Sequence, residues 1–233
     1  MQLTFASYNI HKAVGLDRRR NPERILAVLH EIDADVIALQ EADRRIGDRA
    51  SVLPRAEIDD TPWRVVELAR RPRSIGWHGN ALLVRREYEI TGAHALDLPT
   101  LEPRGAACVE LMIGGQAIRV LGTHLDLSGL RRREQIRSML AFVDGCERAH
   151  PTIIMGDFNQ WGRQTGAMRE FANGWNLITP GKSYPSRQPV ANLDRIVASG
   201  EWRVIETGVH HTVLSAVASD HLPVLARLEL PNN

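Results

Sequence analysis

A strand, a helix and a second strand follow one another twice in this sequence, and the strands end in polar residues. In the first unit, residues 3–10 alternate apolar with small or polar side chains, as a half-buried strand does. Asn21 and Pro22 then begin a helix, as its N-cap and first helical residue. Residues 36–41 are apolar almost to their end at Glu41, which predicts a buried strand.

The second unit has the same order without an extended identity of sequence to the first. Residues 117–125 form a predicted strand that ends near His124, and a helix is expected over residues 130–148. The apolar run that follows ends at Asp157. The repeated pattern predicts an α/β fold, in which ligands usually bind beyond the carboxyl ends of the strands.

The segment Gly-Asp-Phe-Asn, which contains Asp157 and Asn159, directly follows the second buried strand of that unit. In an extended chain, residues two apart point to the same side, so both side chains are expected to face one spot. A carboxylate is a ligand for a hard divalent cation, and an amide can donate to a phosphate oxygen. The alternative is a turn, because these residue types are also common in turns.

Composition limits the class of protein. The 233 residues are 43% hydrophobic and 24% charged, which suits one folded domain over residues 1–233. A net charge of +1 argues against strong sequence-independent binding of nucleic acid, although a local basic patch remains compatible with it. Two cysteines do not make a disulfide framework, and no signal peptide or apolar span of 18 residues is present, so we expect a cytoplasmic protein.

The polar residues that end or begin the predicted strands share oxygen-ligand or imidazole chemistry. They are Asn9, Glu41, His124, Asp157, Asn159, Asp194, Asp220 and His221. Carboxylates of this kind suit magnesium or manganese and are poorly suited to structural zinc. Histidines can act as acid and base near neutral pH, and a buried Asp194 could orient one of them. The set therefore predicts metal-assisted hydrolysis.

The same set, in the same order, resembles the endonuclease/exonuclease/phosphatase superfamily, which includes deoxyribonuclease I, inositol polyphosphate 5-phosphatases and neutral sphingomyelinases. The resemblance covers residues 7–221, and segments 79–83 and 102–106 are similar to the middle of the family pattern. It implies a deoxyribonuclease I-like fold: a four-layered α/β sandwich of two mixed sheets packed face to face, with helices outside.

The resemblance also implies roles for individual residues. Glu41 would bind Mg²⁺ or Mn²⁺, with Asn9 and Asp220 close to the ion. Asp157, also a candidate metal ligand, would hold the attacking water and the phosphate together with Asn159. By the same resemblance, His221 would be a general base or a transition-state stabiliser, and Asp194 would support it. His124 would contact the phosphate or assist the leaving group.

Two further residues, Asn80 and Arg104, are candidate substrate contacts with no firm family role. One departure from the family pattern is Arg195, which follows Asp194 where many members have an aromatic residue. The implied activity is hydrolysis of a phosphate ester in a nucleic acid, a phospholipid headgroup or a small phosphorylated metabolite. The alternative is a non-catalytic module of the same fold that binds a phosphate ligand or nucleic acid. Nothing in the sequence indicates an obligate protein partner.

Overall fold

Two six-stranded β-sheets form the centre of the molecule in a computed structural model, which describes residues 1–44, 47–69, 71–100, 104–162, 165–171 and 174–231. In chain order the strands are β1 (Gln2–Asn9), β2 (Val36–Gln40), β3 (Trp63–Val65), β4 (Ala81–Arg85), β5 (Glu89–Asp97), β6 (Gly105–Ile113), β7 (Gln116–His124), β8 (Thr152–Asp157), β9 (Trp175–Ile178), β10 (Asp194–Ser199), β11 (Arg203–Val209) and β12 (Val224–Glu229). The α-helices are α1 (Pro22–Ile32), α2 (Arg55–Asp59), α3 (Gly129–Asp144) and α4 (Ser215–Ala218), and 3₁₀ turns lie at His11–Ala13 and Gly166–Glu170.

Both sheets are mixed, as predicted. Sheet one has the order β11-β12-β1-β2-β4-β3, and sheet two has the order β5-β6-β7-β8-β10-β9. Only β1 with β2 and β7 with β8 pair in parallel among the described strands. These are the two predicted strand–helix–strand units, with α1 and α3 as their crossover helices. All of sheet two comes from residues 89–199, whereas sheet one combines strands from both ends of the chain.

The two sheets pack face to face because alternate residues of each strand point into a shared core. In β1, Phe5 belongs to the core between the sheets, whereas Tyr8 packs on the side of α1. A third apolar cluster lies between sheet two and α3. The layers are therefore helix, sheet, sheet and helix, and this confirms the predicted four-layered sandwich. Gly122 of β7 lies where the two sheets approach closely, since an added Cβ would lie 3.0 Å from Leu82 Cδ2 and 3.1 Å from the Cβ of Ala38.

The predicted helices and strands differ from the structure mainly at their ends. The Asn21 side chain accepts a hydrogen bond from the Arg24 N–H (2.9 Å), which confirms the N-cap of α1. The helix α3 ends at Asp144, four residues before the predicted boundary. Strand β11 was not predicted, because most of its residues are exposed and its sequence lacks a buried face.

None of the helices in the described parts of the chain is both long enough and apolar enough to cross a lipid bilayer.

Candidate active site

Strand register brings three of the predicted residues to one edge of sheet two. Asp157, the last residue of β8, pairs in register with His124 of the parallel strand β7. On its other side, Asp157 pairs with Asp194, the first residue of the antiparallel strand β10. The three side chains therefore lie side by side where β8 ends, as the strand-end argument predicted.

Sheet one contributes to the same site through the end of β1. The Asn9 amide donates a hydrogen bond to Asp157 Oδ2 (3.1 Å), across the seam between the two sheets. The hydroxyl of Ser219 donates to the Asn9 carbonyl (2.7 Å) and so ties the segment that contains Asp220 and His221 to β1. These two hydrogen bonds thus bring together residues that lie 148 and 210 positions apart in the sequence.

His221 is held in a buried chain of hydrogen bonds. Its Nδ1 lies 2.8 Å from Asp194 Oδ2, which also accepts a hydrogen bond from the Ser183 hydroxyl (2.5 Å). The ring of Tyr184 lies against the imidazole, with 4.7 Å between ring centroids. Burial by itself lowers the pKa of His221, but the negative charges of Asp194 and Asp157 outweigh it and raise the pKa to about 10. His221 is therefore an imidazolium at neutral pH in this structure.

His124, in contrast, is neutral at neutral pH. Its Nε2 lies 3.4 Å from Asp157 Oδ2, and the side chain is buried. Burial lowers the pKa of His124 to about 4, because the attraction of Asp157 is weaker than the loss of hydration and Arg104 adds a repelling positive charge. A neutral imidazole and an imidazolium thus flank one carboxylate, whose Oδ2 is 3.7 Å from Nε2 of His221.

Asn159 reaches the site in a different way from the one predicted. Strand β8 ends at Asp157, and Asn159 has a left-handed backbone conformation (φ +49°), so the expected extended geometry was wrong. Its backbone N–H donates to Asp157 Oδ1 (2.9 Å), which is the turn geometry of the alternative interpretation. The side-chain amide donates to the Leu125 carbonyl (2.8 Å). The turn thus fixes both Asp157 and Asn159 beside the end of β7.

Glu41 lies on the sheet-one side of the site, also in a left-handed conformation (φ +56°). Its carboxylate accepts a hydrogen bond from the ammonium of Lys12. Burial favours the neutral acid, but the bond and charge of Lys12 outweigh it and lower the pKa of Glu41. Asp220 Oδ1 lies 3.8 Å from Nδ1 of His11. The 3₁₀ turn His11–Ala13 thus contacts both Glu41 and Asp220.

Of the two candidate substrate contacts, Arg104 lies near enough to lower the pKa of His124 through its charge. Asn80 is buried, and its amide donates to the Gly105 carbonyl (3.0 Å) and the Trp77 carbonyl (3.3 Å). In this structure Asn80 joins a loop to the beginning of β6. The predicted family-like segment 102–106 is described only from Arg104 onward, since residues 101–103 lie outside the described ranges.

Several residues of the site were not predicted from the sequence. His11 and Lys12 lie in the 3₁₀ turn after β1, and Ser183 lies in the loop before β10. None of them ends an apolar strand, which was the signal used for the other residues. The left-handed turn His11–Ala13 contains no glycine, so its sequence does not predict its conformation.

The donor atoms of this site suit a hard cation. Asp157, Asp194 and His221 each offer a ligand atom within 4.8 Å of the others and could hold a metal ion. However, Asp194 and Nδ1 of His221 are already hydrogen-bonded to each other. Of these three residues, Asp157 lies outside that bond, and Glu41 offers a further carboxylate on the sheet-one side of the site, where it is paired with Lys12.

The two face-to-face mixed sheets, with a histidine–aspartate cluster at their joined strand ends, define a deoxyribonuclease I-like fold. The chain belongs to the Endonuclease/Exonuclease/phosphatase family, whose sequence model matches residues 6–221.

Individual relatives agree with this assignment over almost the whole chain. The chain is 24% identical over 239 residues to the Escherichia coli K12 protein YbhP, itself described as uncharacterized, with 95% of this chain and 94% of YbhP covered. It is similar to the crystal structure of an endonuclease/exonuclease/phosphatase family protein from Bacteroides thetaiotaomicron (TM-score 0.79, 18% identity, 100% and 99% covered). It is also similar to D. rerio TDP2 complexed with a single-strand DNA product (TM-score 0.74, 15% identity, 98% and 99% covered).

Proposed function

We propose that this protein is a metal-dependent hydrolase of phosphate esters. The observation that carries the proposal is the convergence of three groups on Asp157 Oδ2: the Asn9 amide, the neutral His124 and the charged His221. A carboxylate surrounded in this way can orient a water molecule, while the amide and the imidazolium stabilise negative charge that develops on a phosphoryl group. Membership of the family supports the class of reaction.

The two histidines have complementary roles in this proposal. His221, positively charged and backed by Asp194, stabilises the transition state, and it serves as a base only after losing its proton. His124 is neutral, and its one ring N–H can donate a hydrogen bond to a phosphoryl or leaving-group oxygen. Asn9 and Asn159 donate to phosphoryl oxygens without adding repulsion, and Arg104 contributes a nearby positive charge.

The residues that would hold the cation are Glu41, Asn9, Asp220 and Asp157. They fit Mg²⁺ or Mn²⁺, because their ligand atoms are oxygens and three of the four residues are carboxylates. When bound, such an ion neutralises charge on the phosphoryl and leaving oxygens. Asp194 is left out of this set, because its Oδ2 is hydrogen-bonded to Ser183 and His221 and supports the imidazolium.

The substrate in this proposal is a phosphate ester from a nucleic acid, a phospholipid headgroup or a small metabolite. A relative in fold, D. rerio TDP2, was solved with a single-strand DNA product, which supports nucleic acid as one arm of the test. The purified protein is incubated with Mg²⁺ or Mn²⁺ and plasmid DNA, single strands, lysophospholipids, and aryl phosphate monoesters and diesters. Hydrolysis of at least one of them, abolished by EDTA, is the expected result.

Matched variants then test the assigned residues. Asp157→Ala and His221→Ala should each lower the rate by roughly 10²–10⁴-fold. Asp59→Ala and His211→Ala, which change the same residue types at exposed positions, should leave the rate unchanged. Full activity of both site variants would refute the mechanism. Binding of Mn²⁺ and of a phosphate ester without any hydrolysis would instead favour the non-catalytic binding module.

A further inference from the structure

The turn that follows β1 is an unusual piece of backbone. His11, Lys12 and Ala13 all have left-handed φ angles, of 45°, 58° and 58°. This region is unfavourable for any residue with a Cβ, so the surrounding contacts must impose the conformation. The Asn9 side chain accepts a hydrogen bond from the His11 N–H (3.1 Å), and Arg20 Nε donates to the Lys12 carbonyl (3.1 Å). This turn directs Lys12 back toward the end of β2.

At the end of β2, the Lys12 ammonium forms an ion pair with Glu41. Both side chains are largely covered, with 28% and 24% of their surfaces exposed. Asp157 and Asp220 are the other two carboxylates of the proposed cation set. The ammonium therefore provides positive charge at the carboxylate that the proposed function assigns to a divalent cation.

The choice of lysine at this position is informative, because the chain contains only two lysines, Lys12 and Lys182, and 27 arginines. Several ion pairs elsewhere use the arginine fork, for example the two hydrogen bonds of Arg24 to Asp17 and those of Arg137 to Glu170. A guanidinium fork holds a carboxylate by two bonds. A lysine ammonium is a single point charge on a flexible chain and is released more easily.

We propose that Lys12 is a releasable counter-ion of the cation site. Its ammonium neutralises Glu41 while no divalent ion is bound, and it must leave that carboxylate when one binds, so Lys12 and the ion compete. The inference rests on the proposed assignment of Glu41 as a cation ligand. It makes Lys12 a positioning residue that sets the affinity for the cation.

The competition predicts opposite effects of two substitutions. Mn²⁺ is titrated calorimetrically into wild-type protein, Lys12→Met and Lys12→Arg, all first freed of metal with EDTA. Lys12→Met removes the competing charge and should tighten binding about tenfold. Lys12→Arg should weaken it by a similar factor, because the guanidinium would hold Glu41 by two bonds. Lys182→Met, which removes the other and exposed lysine, is the matched control and should bind as the wild type does.

The change in Tm caused by Mn²⁺ provides a second readout, which a purely structural role of Lys12 would leave unaltered. In EDTA, Lys12→Met should unfold at a lower temperature than the wild type, because Glu41 loses its partner. Saturating Mn²⁺ should raise its Tm by more than it raises that of the wild type. An equal deficit with and without Mn²⁺ would overturn the inference, as would unchanged or weaker Mn²⁺ binding by Lys12→Met.

A Glu41→Gln variant separates this inference from the proposed function. If wild-type protein binds Mn²⁺ and Glu41→Gln does not, the cation site stands and the Lys12 variants alone decide the inference. If Glu41→Gln binds Mn²⁺ like the wild type, the assignment of Glu41 fails and the counter-ion inference fails with it. Should Lys12→Met not fold, Lys12→Arg retains the charge and still tests the predicted loss of affinity.

Discussion

Replacing His221 by glutamine in metal-free protein should remove a share of stability that depends on pH. In the wild type, His221 is a buried imidazolium bonded to Asp194, and Asp157 and Asp220 add further negative charge. Glutamine keeps a polar side chain of similar length and has no titrating group. The pH dependence of the difference in unfolding free energy between the two proteins therefore reports the contribution of the His221 proton, whereas the loss of the ring contact with Tyr184 is the same at every pH.

The size and sign of the effect follow from the pKa. The pKa of His221 is raised from 6.5 to about 10 in the folded protein. A raised histidine pKa stabilises the fold fully below pH 6.5, and this stabilisation is lost as the pH rises through 10. At ~1.4 kcal/mol per pH unit the interval corresponds to an upper limit of ~5 kcal/mol. The advantage of the wild type over His221→Gln should accordingly shrink steadily between pH 6.5 and 10.

Urea unfolding in EDTA at pH 6.5, 8, 9 and 10 measures this difference, and His211→Gln at an exposed position is the control. Histidine NMR provides a direct check, since the His221 ring should keep its imidazolium shifts at pH 8. Asp194→Asn should flatten the pH dependence, because the main carboxylate partner is then neutral. A difference between wild type and His221→Gln that is constant or increases with pH would refute the assigned charge state.

Three other predictions concern separate parts of the molecule. In metal-free protein, the ring of His124 should stay neutral down to pH 5, so its NMR shifts should not change between pH 8 and 5; a transition near 6.5 would contradict the effect of burial. Asn159→Gly and Asn159→Ala should both lower hydrolysis, but urea unfolding should find the glycine variant more stable by ~1 kcal/mol, since the position is left-handed; equal stabilities would contradict this. Gly122→Ala should reduce unfolding free energy by ~1–3 kcal/mol through overpacking between the sheets, and an unchanged urea midpoint would show that the sheets yield there.

Strand-end reasoning predicted most of the candidate site because strand register is a strong constraint. Once β7, β8 and β10 pair as observed, His124, Asp157 and Asp194 must lie at one edge. The same reasoning could not predict the contact of Asn9 with Asp157, which depends on how two separate sheets pack. The family resemblance implied that Asn9 and Asp157 belong to one site.

The residues that sequence reasoning missed are those whose position depends on loop conformation. Lys12 reaches Glu41 only through a left-handed turn without glycine, and its residue types do not indicate such a turn. Asn159 lies beside Asp157 through a left-handed turn and not through the extended geometry that was predicted, because the strand ends two residues earlier. Strand β11 escaped detection since an exposed edge strand has no apolar alternation to reveal it.

The seam between the sheets also has a consequence for how the site is acquired during folding. Sheet two is built from one continuous stretch of chain, residues 89–199, and can form from contacts between neighbouring strands. The bonds of Asn9 to Asp157 and of Ser219 to Asn9 join residues that lie 148 and 210 positions apart in the sequence, so they require closure of long loops. In a refolding time course, cation binding and hydrolysis should therefore recover after the backbone signal of sheet two, at the step in which the two ends of the chain complete sheet one.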